Sequence, residues 1–343
     1  MGVQAQVFLS GKSHFRLDIR HLNRKDAGTI FKIGVPGAAT NLYLTVRGLL
    51  VNRLLEIYVG SVAISAFATA NNLLGIFWAI PNGMLAVSRM LISVSMGEED
   101  RQTLTDTMRV MLRRYVPLMC AVSAVIIASA VPMTRIFYQD TADKVFDMTV
   151  WGLRILPLCM PLSIINSHLT CYNQSAGRHW LVHIVSLLDG ALFVTAFSAL
   201  LLPVMGINGV YAANVLNGIM IMLVFFGYAW NRSRHLPGNM GELIVIPDDF
   251  GAAPDDRLDV SIRSMDDVVS VAESIHYFCR RKGNSETKAG LAGLCMEEMA
   301  GNVVIHGFKN DQRRHSVDVR IVIKDQDVIL RLTDDCAPFD PGE

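Results

Sequence analysis

Glu298, Asn302 and His306 recur at four-residue intervals in the stretch EEMAGNVVIHGF, Glu297 to Phe308. On an α-helix that spacing lines up one edge. An Asn side-chain carbonyl is a hard oxygen ligand of the kind Mg²⁺ takes. A carboxylate one turn earlier can orient a water or an attacking hydroxyl as general base. Glu298 and Asn302 therefore have the types and spacing of a metal–nucleotide site, and Glu297 lies a step off the stripe. A second cluster follows in LTDDCAPFDP, Leu332 to Pro341. An acidic residue leaving a strand into a Pro-containing turn can accept a hydrogen bond from an adenine amino group, which points to Asp334. Taken singly, the first cluster also fits a solvated helix edge and the second an ordinary Asp-rich turn.

These residues need elements to position them. LDVSIRS alternates as a short strand from Leu258, and MDDVVSVAESIHYFCRRKG reads as an amphipathic helix ending at Gly283. A second helix is expected from an N-cap at Asn284 to a C-cap at Gly307, with Ala292, Met296, Met299 and Val303 as its buried stripe. SVDVRIVIK and VILRLTD then make strand, turn and strand, with Val317, Val319, Ile321 and Ile323 facing inward.

The residues before this region are of another kind. Of 343 residues, 51% are hydrophobic and 18% charged, and the formal net charge of zero averages two unlike parts. No Asp, Glu, Lys or Arg occurs between Ala63 and Ser88, Tyr115 and Thr134, Ile155 and Gly177, or Gly190 and Asn231. Such runs read as membrane spans, and six are expected: 30–56, 62–96, 112–134, 148–172, 179–203 and 207–230. Pro81, Asn82 and Gly83 predict a kink in the second. The charged GEEDRQTLTD, Gly97 to Asp106, reads as the loop after it. Lys and Arg gather before the first span, after the second and after the sixth, which places both ends in the cytoplasm. Polar residues lie within the spans: Arg47, Asn52, Asn71, Asn72, Arg154, Asn166, His183, Asp189, Asn214 and Asn217. Ionisable groups at membrane depth are costly, roughly 2.5–3.5 kcal/mol each on insertion scales. Asp189 and, among the amides, Asn71 are the transport candidates, with helix-to-helix hydrogen bonding as the competing role. The six Cys show no CxxC or metal-ligand spacing and read as reduced, mostly buried thiols. No signal peptide is evident, and the absence of a basic stripe in the soluble part argues against nucleic-acid binding.

Two stretches carry family resemblances. KIGVPGAATNLYLTVRGLLVNRLL, VAISAFATANNLLGIFWAIPNGM, ISVSMGEEDRQTLTDTMRVMLRR and LLPVMGINGVYAANVLNGI resemble, in order and spacing, the second six-helix lobe of MATE multidrug exporters. The resemblance covers about 28–232 and implies a lobe of a cation-coupled exporter, driven by H⁺ or Na⁺ and acting on xenobiotics or organic cations. The family uses membrane-embedded carboxylates, but Asp189 does not fall where a coupling residue is expected. Over 258–343, the sequence E-xxx-N-xxx-H on a helix, two strands and D-D-x-x-P-F resembles the histidine-kinase-like ATPase fold of anti-sigma-factor serine kinases. That resemblance implies ATP with Mg²⁺: Asn302 on the metal, Glu298 as catalytic carboxylate, Asp334 on adenine, with His306 and Phe339 also in the nucleotide site. Cys336 stands where that family usually has Gly.

The fold class expected is thus a six-helix membrane bundle followed by an incomplete α/β two-layer sandwich. The boundaries are a linker-like segment 1–27, the lobe 28–232, a linker 233–257 rich in Pro, Gly and Asp, and the soluble domain 258–343. The family's Gly-rich phosphate loop is not reached by Glu343, and one lobe is present, so a fragment at both ends is expected. The expected setting is a bacterial inner membrane with the ATPase-like domain in the cytoplasm. The partners are the lipid bilayer, a small-molecule export substrate and an anti-anti-sigma-like protein. The alternative is a membrane-anchored serine or histidine protein kinase in signalling; no phosphate-cradle motif marks an ABC-type pump.

Overall fold

The computed structural model describes residues 24–308, 313–324 and 327–337, with side chains from residue 39 onward. Seven long helices, α1 (Arg24–Tyr58), α2 (Ser61–Phe77), α3 (Ala79–Gly97), α4 (Arg101–Ala128), α5 (Lys144–Ser175), α6 (His179–Met205) and α7 (Ile207–Ser233), come first. Five of them, α3 to α7, are long and apolar enough to cross a membrane. The expected second span is in fact two helices. Pro81 has no N–H to offer the carbonyl four residues back and its ring crowds that carbonyl. That carbonyl belongs to Phe77, so the helix breaks at Trp78, whose N–H is shared between Leu74 and Gly75 carbonyls at 3.3 Å each. The break thus falls three residues before the Pro81–Gly83 stretch. The charged GEEDRQTLTD is also mostly helix. Asp100 caps α4, its side chain accepting from the Thr103 N–H at 3.0 Å, and the helix runs from Arg101 through a π turn at Met111–Tyr115.

The chain divides into two compact units. Of the described residues, the first comprises 24–73, 126–159 and 179–221. Small residues let its helices approach closely: a Cβ on Gly152 would sit 2.9 Å from both the Ala70 Cβ and the Tyr211 ring. Tyr211 stacks on Phe67 with ring centroids 6.2 Å apart and donates its hydroxyl to the Met148 carbonyl at 2.9 Å. Gly209 meets the Leu201 backbone, closing the α6–α7 hairpin at a contact no side chain would allow.

The second unit comprises residues 74–125 and 160–178 and the described residues from 222 to 337. Its C-terminal part is two helices, α8 (Met265–Arg281) and α9 (Glu286–Asn302), on one face of a three-stranded antiparallel sheet. The strands β1 (Arg257–Ile262), β2 (Val317–Lys324) and β3 (Asp327–Asp334) lie in the order β1-β2-β3. The alternation behaves as expected: Val317, Val319 and Ile321 are buried beneath the helices, while Asp318 and Arg320 point to the other face. Ser264 and Asp267 form a capping box on α8, and Gly283 follows its end at φ +84°.

Three expectations about this part are corrected. The cap of α9 is Ser285, accepting from the Lys288 N–H at 3.3 Å, while the Asn284 side chain turns back to the Cys279 carbonyl. Met299 is 52% exposed, because the buried stripe steps by four from Met296 to Ala300 and not by three. The cysteines are free, but only Cys171 and Cys279 are buried; Cys120 and Cys295 are exposed. The α-helix ends at Asn302 and a π turn carries the chain to Gly307, close to the expected stop.

Candidate functional sites

In the first unit, Asp189 lies in a π turn of α6, Leu188–Leu192, a widening of the helix common at functional positions. Gly190 makes the turn possible beside α1, since a Cβ there would meet the Tyr43 Cβ at 2.8 Å. The Asn217 amide donates to Asp189 Oδ1 at 2.7 Å, and Arg47 reaches the Asp189 backbone carbonyl at 3.5 Å. Asn217 Oδ1 is buried and makes no hydrogen bond among the described residues. Three of the polar residues singled out within the spans, Arg47, Asp189 and Asn217, therefore form one cluster. Asn71 does not join it; it is exposed and donates to the Phe67 carbonyl of its own helix at 3.1 Å.

In the C-terminal part, Glu298, Asn302 and His306 are all exposed, as is Asp334 at the end of β3. Glu298 and Asn302 sit one turn apart on α9. Asp334 Oδ1 accepts from the Cys336 N–H at 3.0 Å, an Asx turn that fixes the chain leaving β3. A Cβ on Gly307 would lie 2.9 Å from Cys336 Sγ. The end of the helix that carries Asn302 and His306 therefore meets the end of the strand that carries Asp334. Phe339 lies outside the described residues.

The sheet's other face carries an assembly that sequence reading missed. Glu98, Glu99 and Asp100, the turn between α3 and α4, each pair with a cation of β2 or β3. Arg331 holds Glu98 at 2.8 Å, Lys324 holds Glu99 at 2.7 Å, and Arg320 holds Asp100. Arg320 is tied in addition to Asp259 of β1 at 2.5 Å. The Asp100 side chain is only 4% exposed. Burial alone would raise its pKa, but the Thr103 hydrogen bonds and the Arg320 charge outweigh it and bring the pKa below the ordinary value. Burial likewise lowers that of Arg320, and the Asp259 and Asp100 carboxylates more than reverse it. Glu99 adopts a left-handed backbone, φ 53°, which costs a residue with a Cβ about 1–2 kcal/mol. Its carboxylate is used twice, by Lys324 and by the Gly251 N–H at 2.8 Å, which holds it there. A cavity of about 280 Å³ opens beside these pairs, lined by Glu99, Arg101, Arg257 and Arg320 among others.

The linker is bound into the same assembly. Arg101 donates to the carbonyls of Pro247, Asp248 and Phe250, and Arg178 to those of Ile244 and Val245. The Pro-, Gly- and Asp-rich composition reads as a loose tether, but two arginines on the helix ends grip its backbone. No local pattern announces ion pairs between residues more than 200 positions apart; the only available signal was three consecutive acids facing a basic strand pattern.

Comparison with known proteins bears on the membrane part. Residues 36–200 match the MatE family model. An inward-facing multidrug resistance MATE family transporter of the MOP superfamily aligns with TM-score 0.60 and 16% identity, over 71% of this chain and 55% of that one. A MATE in complex with MaL6 gives TM-score 0.57 and 17% identity, over 71% and 53%. A MOP superfamily transporter from Pyrococcus furiosus gives 0.57 and 18%, over 70% and 53%. No curated protein matches the chain. In sequence residues 36–200 match the MatE family, and in structure the chain has the fold of MATE transporters, spanning about half the length of those it matches.

Proposed function

We propose that this chain is a MATE-type transport protein: one lobe of a cation-coupled exporter of xenobiotics or organic cations. Its soluble part is a nucleotide-binding regulatory domain facing the cytoplasm of a bacterial cell. The transport reading is supported by the MatE match and the MATE fold. Within the lobe, Asp189 is the residue to take the coupling H⁺ or Na⁺, although it does not fall where the family resemblance places one: its carboxylate is hydrogen-bonded by the neutral Asn217 amide, and Arg47 of the same cluster bonds its backbone carbonyl and not its side chain.

The observation that carries the regulatory reading is the set of three ion pairs fastening the sheet to the α3–α4 turn. A domain held this way can sense one ligand and bias a helix pair that serves another. The nucleotide reading rests on the donor set. Asn302 and Glu298 are exposed on one edge of α9, and the helix end meets the strand end that bears Asp334. These residues fit Mg²⁺ and ATP in chemical type. Asn302 would hold the metal, which neutralises phosphate charge when bound; Glu298 would orient the attacking group and Asp334 would accept from adenine.

The test is flux in vesicles holding the whole two-lobe exporter. An imposed proton or sodium gradient should drive efflux of an organic cation, and Mg·ATP on the cytoplasmic side should change its rate. Flux indifferent to either gradient overturns the transport reading. Flux that responds to the gradient but not to Mg·ATP overturns the regulatory one.

A further inference from the structure

We propose that His315, Asp335 and Cys336 form a binding site for a borderline-soft divalent cation of the zinc class. The sheet register builds it. Val317 pairs with Asp334 across β2 and β3. Two residues outward on each strand, His315 comes opposite Cys336, and Ser316 comes opposite Asp335. The antiparallel pairing thus brings an imidazole, a carboxylate and a thiol to one end of the sheet. One ligand atom from each lies within 4.8 Å of the other two.

The site is held rather than loosely gathered. His315 has only 4% of its side chain exposed, and its Nδ1 lies 3.0 Å from Asp335 Oδ1. The Ser316 N–H also reaches Asp335 Oδ1, at 3.1 Å, and with His315 it keeps that carboxylate's pKa below the ordinary value. The Phe308 ring lies beside the imidazole, centroids 5.6 Å apart. Cys336 is held through its backbone by Asp334, and its sulfur lies where a Cβ on Gly307 would clash. A His–Asp hydrogen bond explains two of the three residues, but it does not require a thiol on the same side.

The chemistry selects the ion. Nitrogen, oxygen and sulfur donors together suit Zn²⁺ and its first-row neighbours and are poor for Mg²⁺ or Ca²⁺. On a tetrahedral zinc such donors stand roughly 3.3–3.7 Å apart, given bonds of about 2.0–2.3 Å. The His315–Asp335 pair, at 3.0 Å, is closer than that and has to open slightly, and since no separation exceeds 4.8 Å the widest closes by at most about 1.5 Å. On binding, His315 coordinates through Nδ1 with its proton on Nε2, and Cys336 coordinates as thiolate, its proton passing to solvent. Three protein ligands leave a fourth position for water or an added ligand. The ion would clamp the ends of β2 and β3 together, and it does so whether or not the neighbouring Asp334 meets a nucleotide.

Co²⁺ serves as the probe for Zn²⁺, titrated into the metal-free full chain in detergent. We expect one equivalent to bind with thiolate-to-cobalt charge-transfer absorption in the near ultraviolet. Cys336→Ser, a near-isosteric change at a partly buried position, should abolish that band and leave the metal-free melting temperature unchanged. His315→Gln should weaken binding at least tenfold, and Cys120→Ser and Cys295→Ser should leave the band intact. Zn²⁺ should raise the melting temperature of the parent and not that of Cys336→Ser. A parent with no band, or a band that survives Cys336→Ser, overturns the site.

Discussion

Asp189, within α6, and Asp100, in the turn that caps α4, are both carboxylates, and they are held in opposite ways. Asp100 is almost wholly enclosed, caps a helix, and faces Arg320, with Arg331 a further 3.8 Å contact. Asp189 is exposed, sits in a π turn, and has the neutral amide of Asn217 as its side-chain partner. A carboxylate matched to cations is committed to its charge, because neutralising it strands them. A carboxylate matched to an amide can gain or lose a proton and keep a hydrogen bond either way. The first arrangement fastens; the second leaves room for chemistry.

Breaking the first arrangement should give the largest effect. Asp100→Arg removes the cap and sets a cation against Arg320, and we expect the second unit to lose about 3–5 kcal/mol, as when a buried pair is broken. Pulse proteolysis in urea measures this. Combining Asp100→Arg with Arg320→Asp should recover a substantial part, and a double variant no better than the single would mean the two residues do not act as a pair. For the second arrangement, Asp189→Asn keeps the shape and the bond to Asn217 while fixing the charge at zero. The fold should change by less than about 1 kcal/mol, while gradient-driven flux in the two-lobe protein falls at least tenfold. Full flux in that variant would make Asp189 a helix–helix contact and erase the contrast.

Smaller effects sharpen the same comparison. The pKa of Asp100 is depressed on folding, so its contribution to stability is complete above the unfolded value of about 3.9 and fades as pH falls through the lower folded one. An acid melt of the parent should therefore steepen below about pH 4, and that of Asp100→Asn should steepen less, the remainder coming from carboxylates such as Asp335 whose pKa is also depressed. Asn302→Ala should cut Mg·ATP affinity at least tenfold while slightly favouring the helix; unchanged affinity leaves the stripe a helix edge. The smallest effect belongs to the exposed pair Arg109–Asp106, each side chain 49% exposed. Arg109→Ala should cost no more than about 0.5 kcal/mol, and a cost near that of Asp100→Arg would show that enclosure is not what strengthens the clasp.

Much of the secondary structure was legible because it follows local rules. The period-two pattern of β2, the capping signals of α8 and the apolar runs of α4 to α7 each declare themselves within a dozen or two residues. Errors arose where two local rules competed. Asn284 and Ser285 are both good caps, and tertiary context chose Ser285. Met299 and Ala300 both continue the stripe from Met296, and the sheet accepted the smaller side chain. In the candidate sites, Glu298 with Asn302 was visible as helical spacing, and Asp189 as an isolated charge. The partners of Asp189, however, come from α1 and α7, and those of Asp100 from strands far along the chain. Charge complementarity at that separation leaves no periodic trace, so the clasp and the gripped linker became visible only in three dimensions.

The gripped linker also sets how firmly the sheet and the α3–α4 turn stay together. Because both belong to one chain, their meeting is governed by an effective concentration, on the order of millimolar for a short tether. Two separate pieces with the same contacts and a dissociation constant of about 10 µM would therefore, once joined, stay apart only about 1% of the time. Arg101 and Arg178 shorten the free tether still further by holding 244–250 against the helix ends. Contacts too weak to hold two free molecules together are enough here. A tenfold weakening, about 1.4 kcal/mol, would raise the open population to roughly one molecule in ten.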